Sequence, residues 1–385
     1  MKGRMTILLP ILFPLTAMNR VNKENVALLV VLFMLLVSPQ LAACSEIRPI
    51  YTIQDSGKRG VGVSGWLDND RVVFYSEQRA QAKVGDDPEG PPIVDAGYYV
   101  WDTERGTLSK DPRFEGAAKL CVQGNVVTFL RKSPGEEKQW LVVTRVNGEE
   151  NVAPLVNMEW FNRFNCRYYV QKPAWMISNH QTLPLMNGHG FLEWVPSERH
   201  VSEWNNPLRF HYKDAEEWIS LPIGTREVWH NLVKYAPFKD AYLLYPVAYI
   251  DPLTGKEDPI GPWPKGKPVP IWWLGPDGTV TTETIPYMRF MRGGSRAFFP
   301  TREGIFVTSH KTDDLGKPGD AGGYLARNDR VTKLITGLVD RVSISSDGCR
   351  VAFVHDPYDT MYGKDRLNRI TVKVINICQE NRHAR

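Results

Sequence analysis

No apolar run in this 385-residue chain is long enough to cross a bilayer as a helix. The stretch 5–18 is broken by Pro10 and Pro14, and the uninterrupted run Val26–Val37 is too short. A polytopic membrane protein is thereby excluded. An excess of one charge is also lacking, with 47 Lys and Arg against 43 Asp and Glu. Four of the bases, Lys2, Arg4, Arg20 and Lys23, precede residue 44 with Glu24 as the sole acid there, so the remainder is nearly neutral. Such a body offers no electrostatic footprint for nucleic acid. Amphipathic helical periodicity beyond two turns is scarce after residue 44. Catalytic signatures are missing as well: there is no G-x-S-x-G, no H-E-x-x-H and no P-loop. The eight histidines (His180, His189, His200, His211, His230, His310, His355 and His383) show no zinc spacing and read as exposed loop residues. Asp86-Asp87-Glu89, Glu216-Glu217 and Asp313-Asp314 read as solvated clusters rather than a carboxylate pair. No catalytic residue, cofactor site or metal ligand is expected.

What is present begins with a leader. Asn19-Arg20-Val21-Asn22-Lys23 is a basic lead and Val26–Val37 an apolar core. Ser38-Pro39-Gln40 then breaks the run, and small residues follow. Met18 stands where such a signal would naturally start, so residues 1–17 read as an over-extended start. The segment Leu41-Ala42-Ala43-Cys44 resembles the lipobox of bacterial lipoproteins at every position. That resemblance implies cleavage after Ala43, a diacylglyceryl group on the Cys44 sulfur and an acylated amino group. Ser45 is similar to the choice that sends such proteins to the outer membrane of a Gram-negative cell, facing the periplasm. One acyl chain anchors marginally, at about 0.8 kcal/mol per buried methylene, whereas three hold for good. The alternative is an ordinary signal peptide with Cys44 a plain thiol.

Four further cysteines remain: Cys121, Cys166, Cys349 and Cys378. In an oxidising compartment an even number suggests two bridges, and sequence alone permits three pairings. Four buried thiols are the alternative.

From residue 44 onward short Val, Ile, Tyr, Phe and Trp runs alternate with Gly, Asn, Asp and Pro punctuation, the pattern of an all-β chain. Strand–turn–strand units recur with turns near residues 70, 124, 188, 240, 303 and 347. Each of the first five is followed by a second hairpin, turning at Asp102–Gly106, Asn147-Gly148, Lys213-Asp214, Pro276-Asp277-Gly278 and Asn328-Asp329. Two hairpins make a four-stranded blade, and the set predicts a β-propeller of six four-stranded blades, with seven as the alternative. Residues 44–385 form this single domain behind the cleaved segment 1–43. The last unit is one strand short, and Pro49–Ile53 is expected to complete it and close the ring. The pattern Ser345-Ser346-Asp347-Gly348…Ala352-Phe353 resembles the WD40-like (PD40) repeat of TolB-type propellers, in that unit clearly and at 66–74 partially. In an up-down blade the start of strand two lies beside the end of strand three, which favours a Cys349–Cys378 bridge. Cys121–Cys166 is then the remaining pair by elimination.

Gly60-Val61-Gly62-Val63-Ser64-Gly65 spells the dinucleotide fingerprint, but turn residues rather than a helix follow, so it reads as a Gly-rich lead into the first blade. Three long connections, Lys83–Val94, Asp251–Pro270 and Lys311–Gly323, are where binding would sit on a rigid scaffold. The middle one carries Trp263, Lys265 and Lys267 and suits docking against a partner; a surface meander with Trp263 tucked against a blade is the alternative. The expectation is a monomeric, non-catalytic envelope lipoprotein, held to the membrane by its lipid, that binds an envelope protein or glycan. The alternative is an envelope enzyme acting on glycan or peptide at the channel mouth, and a third is an assembly factor like the TolB propellers.

Overall fold

The computed structural model describes residues 44–47, 62–79, 93–123, 125–155, 182–184, 190–193, 207–212, 217–224, 233–246, 249–250, 257–258, 266–288, 298–309, 320–328, 330–357 and 370–378. All of them fall in the compact unit Ala42–Arg385. Residues 1–43, read above as a leader, lie outside the described residues.

Antiparallel meanders follow one another along the chain. After β1 (Cys44–Ile47), the first meander holds β2 (Gly62–Trp66), β3 (Arg71–Arg79), β4 (Ile93–Asp102) and β5 (Thr107–Lys110). The second holds β6 (Ala118–Gln123), β7 (Val126–Ser133), β8 (Glu136–Val146) and β9 (Glu149–Pro154). In the third are β10 (Thr182–Pro184), β11 (Gly190–Glu193), β12 (Pro207–Tyr212) and β13 (Trp218–Gly224). The fourth comprises β14 (Val233–Ala236) and β15 (Ala241–Leu244), then, after a ribbon of β16 (Tyr249–Ile250) and β17 (Glu257–Asp258), β18 (Val269–Leu274) and β19 (Val280–Ile285). β20 (Phe298–Thr301), β21 (Gly304–Ser309), β22 (Gly322–Arg327) and β23 (Arg330–Thr336) make the fifth. The last is β24 (Leu338–Ile344), β25 (Arg350–Asp356) and β26 (Thr371–Asn376), with β1 hydrogen-bonded to β26 as its fourth strand. Among the described residues there is no α-helix, only a 3-10 turn at Pro112–Phe114.

The hairpins form where turn chemistry marks them. In the last meander Asp347 Oδ1 accepts from Ser345 Oγ at 2.6 Å and from the Cys349 N–H at 3.0 Å, while Gly348 takes φ +76°. The Ser-x-Asp-Gly pattern is thus an Asx-type turn whose fourth position needs a left-handed backbone. Asp68, Asp102 and Asp277 repeat the device, each accepting from an N–H two residues ahead. The fourth strand of the last sheet differs from expectation in place: it is Cys44–Ile47, with Cys44 opposite Ile375 and Ile47 opposite Val372. Pro49–Ile53 lies outside the described residues. An edge strand pairs through its backbone, so side-chain pattern is a poor guide to which segment supplies it.

Shared cores join neighbouring meanders. Phe114, Leu120, Val122, Val127, Phe129 and Val143 of the second and the link into it pack on Val73 and Tyr98 of the first. Leu192, Leu208, Phe210, Leu221 and Ile223 of the third meet Tyr242, Leu244 and Trp272 of the fourth. Leu243, Ile271 and Trp273 then meet Phe298, Ile305 and Val307 of the fifth. Phe299 and Phe306 of that sheet meet Val351, Phe353 and Ile375 of the last. The last packs on the first: Ala352, Val354, Val372 and Val374 against Trp66, Val72, Phe74, Tyr99 and Trp101. Each such large apolar side chain contributes roughly 1.5–3 kcal/mol of transfer free energy. The chain order of these contacts runs third, fourth, fifth, last, first, second. No core shared by the second and third falls among the described residues.

Polar contacts lock the junction of last and first. Trp66 Nε1 donates to Ser343 O at 3.1 Å, and the Asp347 N–H donates to Asn69 Oδ1 at 3.0 Å. Arg350 donates to Asn69 O, pairs with Asp70 and reaches Glu104 at 3.1 Å. A disulfide joins Cys349 to Cys378, with Cα atoms 5.1 Å apart. Cys121 is buried and also disulfide-bonded, and Cys166 lies outside the described residues.

Candidate functional site: the side of the long connections

In five of the six meanders the first turn is tight, with 67–70, 124–125, 237–240, 302–303 and 345–349 linking first to second strands, and in four of them so is the third, with 103–106, 147–148, 275–279 and 328–329 linking third to fourth. These turns share one side of the assembly. Gly348 packs against Phe238, its carbonyl accepts from the Arg302 N–H at 2.9 Å, and Asp347 meets Asn69, so turns of four meanders converge. β2 and β6 run parallel, which gives the first two meanders the same direction. Gly278 lies against Phe210 and Ile219, which aligns the third with the fourth. Second-to-third-strand connections therefore all open on the opposite side. There the spans 80–92, 194–206, 245–268, 310–321 and 357–370 are long, and only Pro134-Gly135 of the second meander is short.

The interior changes character at that side. Through their middle the shared cores are apolar, but the last layer beneath the long connections is polar. Between fourth and fifth it holds Lys234, Ser309 and Asp320; between fifth and last, Thr308, His355 and Thr371; between last and first, Ser76 and Asp356. Glu77 occupies the second-meander face of the first. All nine are buried, and Glu77 and Ser309 have no exposed surface. Buried charge is tolerated only with partners, and Glu77, Lys234, Asp320, His355 and Asp356 each make further contacts. Tyr75 donates its hydroxyl to Glu77 at 3.2 Å, Lys234 Nζ stands 5.1 Å from the centre of the Phe299 ring, and Tyr324 donates to the Asp320 carbonyl at 2.7 Å. His355 Nε2 lies 2.7 Å from Thr336 O; a carbonyl only accepts, so that nitrogen carries the proton. Among the described residues the hydroxyls of Ser76, Ser309 and Thr371 have no hydrogen-bond partner, and such unpaired buried groups cost about 1–3 kcal/mol each.

Of the expected partner-binding residues only Lys267 is among the described residues. Lys267 is exposed just before β18, at the foot of a connection that also carries the β16–β17 ribbon. Trp263 and Lys265 lie outside the described residues, as do Asp86, Asp87, Glu89, Glu216, Asp313 and Asp314. Glu217 is exposed. The reading of the histidines as exposed loop residues needs correction at two positions: His355 is buried inside β25, and His211 belongs to β12, its ring 4.8 Å from Trp218. Their neighbours in sequence are strand formers, which outweighs the polar side chain. Sequence reasoning also missed Glu77, Lys234 and Asp320; a lone charge inside an apolar run was available as a signal for Lys234, between Leu232-Val233 and Tyr235-Ala236, but not for Glu77, between Ser76 and Gln78, or Asp320, between Gly319 and Ala321. Gly62 and Gly65 of the G-x-G-x-x-G segment lie in β2, which leads through a turn into β3, so no helix N-terminus faces them. Among the described residues no three His, Cys, Asp or Glu side chains converge in a way that could hold a metal.

Asp111, at the entry to the second meander, carries a shifted carboxyl. Burial pushes Asp111 up, but the Arg113 guanidinium and N–H together outweigh it and hold its carboxyl below the usual range. It caps the 3-10 turn, accepting from the Arg113 N–H at 2.9 Å. A carboxylate depressed in the folded state stabilises above its unfolded value, and the contribution disappears as the pH falls through the folded one. Asp111→Asn is thus expected to lower stability in urea at pH 6, with the gap to the parent closing progressively below about pH 4.

No known protein family and no curated protein matches this chain. Solved structures do resemble it. An oligogalacturonate lyase of Vibrio parahaemolyticus is 8% identical, with 88% of this chain and 97% of that one covered and a TM-score of 0.35. The β-propeller domain of Cps50 (Swd1) from Myceliophteria thermophila is 9% identical, covering 87% and 100%, at 0.31. An acylaminoacyl peptidase of Pyrococcus horikoshii is 12% identical at 0.31; 77% of this chain is covered, and the chain spans 43% of that protein. At such values the likeness says nothing of activity.

Proposed function

We propose that this chain is a lipid-anchored envelope protein whose body is a six-bladed β-propeller, each meander a blade, with the ring closing between the second and third, and that it acts as a non-catalytic binding scaffold. The observation that carries the reading is the asymmetry of the two sides: tight turns on one, almost every long connection on the other. Long loops on a rigid frame are the usual means of building a recognition surface. The balanced charge suits an envelope protein or glycan as partner rather than nucleic acid. Anchoring rests on Leu41-Ala42-Ala43-Cys44.

A second reading draws support from the buried polar layer, with three hydroxyls that have no hydrogen-bond partner among the described residues: an enzyme that takes a small piece of envelope glycan or peptide at the same side. Co-purification from detergent-solubilised envelopes separates the two. A stable partner recovered with the parent and lost with the triple substitution Trp263→Ala, Lys265→Ala and Lys267→Ala, at unchanged melting temperature, is the expected result. Repeated recovery of the protein alone would reject the scaffold. In the same preparations Cys44→Ser is expected to move most of the protein from the membrane to the soluble fraction.

A further inference from the structure

The register of β1 fixes which end of it carries the anchor. β26 begins at Thr371, where the connection 357–370 delivers it from the long-connection side, and ends at Asn376 on the tight-turn side. Just beyond, the Ile377 N–H donates to Cys349 O at 2.9 Å and the Cys349–Cys378 bridge follows. β1 runs antiparallel to this strand with Cys44 opposite Ile375. Cys44 thus stands at the tight-turn end of the outermost strand, and Ile47 points the chain towards the other side. Three residue steps separate the two, about 10 Å along the strand.

Cys44 is also the first paired residue among the described ones, so after cleavage behind Ala43 no spacer would separate the sheet from whatever its sulfur carries. A lipoprotein whose acylated cysteine precedes a flexible linker can adopt any attitude to the bilayer. Here the glyceryl group would be bonded to a residue already fixed in a sheet, which leaves a side chain and a glycerol as the only slack. We propose that the tight-turn side, at the outer edge of the last sheet, rests against the lipid surface, and that the long-connection side is held away from the membrane, open to the periplasm. This rests on the lipid-anchor reading above. The partner chemistry is that of a phospholipid headgroup layer met by a polar, mixed-charge surface: Glu104, Arg105, Asn147, Lys239, Asp240, Asp277 and Arg302 are exposed there. The bilayer is held by the acyl chains and not by this face, so no basic patch is required of it.

Two single-cysteine probes test the orientation. Arg105→Cys places a fluorophore in the 103–106 turn, next to the last sheet, where the Arg105 side chain is 82% exposed. Lys132→Cys places one at the exposed opposite end of β7. The full mature protein, purified from envelopes and reconstituted into vesicles of phosphatidylethanolamine and phosphatidylglycerol containing a headgroup spin-labelled lipid, is expected to show several-fold stronger quenching at position 105 than at 132. Equal quenching, or stronger quenching at 132, overturns the proposal. The mass of the N-terminal peptide from the same sample reports whether Cys44 is acylated. An unmodified cysteine sinks the anchor and the orientation together, whereas an acylated one with the reversed quenching sinks the orientation alone.

Discussion

Gly65→Ala is expected to be among the most destabilising single-methyl additions in the protein. β2 approaches β6 at Gly65↔Val122 and Trp66↔Gln123, and a Cβ on Gly65 would stand 1.7 Å from the Val122 carbonyl oxygen. Backbone atoms cannot swing aside as a long side chain can. The residue also takes φ +137°, a region that side chains rarely occupy. Strain of about 1–3 kcal/mol from the backbone adds to roughly 1–3 kcal/mol from overpacking. A loss of about 4 kcal/mol by chemical denaturation is the expected outcome. Gly106→Ala is the control: φ is +65° but nothing lies within 4 Å of the added carbon, so about 1 kcal/mol is expected. Equal losses at the two positions would mean that the close approach of the two sheets is not what Gly65 provides.

Trp66→Ala is expected to cost about 3–5 kcal/mol, and Trp66→Phe clearly less. The indole is 1% exposed, fills the core between the last sheet and the first, and donates to Ser343 across the junction. Phenylalanine keeps most of the apolar volume and loses the hydrogen bond, leaving the Ser343 carbonyl to find another donor, a deficit of about 1 kcal/mol. Thermal melts of the two variants decide whether packing or the polar lock dominates here. Matching losses would assign the stability of the junction to the indole N–H and its neighbours around Arg350.

How much of this was legible in the sequence follows from what each element uses to form. Hairpin turns announced themselves because Asp, Asn and Gly have few other reasons to recur between Val, Ile and Phe runs; the turns at Asp102–Gly106, Asn147-Gly148 and Pro276–Gly278 are all where those residues stand. β1 was not legible, because Cys-Ser-Glu-Ile carries no strand signature and is recruited by an open edge on β26. The polar layer was hidden for another reason. Period-two alternation assigns Ser76 and Phe74 to the same face, yet it does not say that Phe74 lies in the apolar middle of the interface and Ser76 in its last layer. Depth along a strand comes from which neighbour is opposite, and that neighbour lies hundreds of residues away. Gly65 was read only as part of a Gly-rich lead into the first blade for the same reason: its need for a bare Cα is imposed by Val122.

The pairing of the first described strand with the last has a bearing on how the protein is made. β1 leaves the ribosome early and waits, since β26, its only partner among the described residues, is among the last segments to be synthesised. Until then the final sheet lacks β26 and β1, Cys349 lacks its thiol partner, and Trp66 lacks Val372 and Val374 from its core. Maturation of such a molecule is expected to be slow and all-or-none at its final step, and a chain cut short near residue 370 would lose not a tail but the seam that joins its two ends.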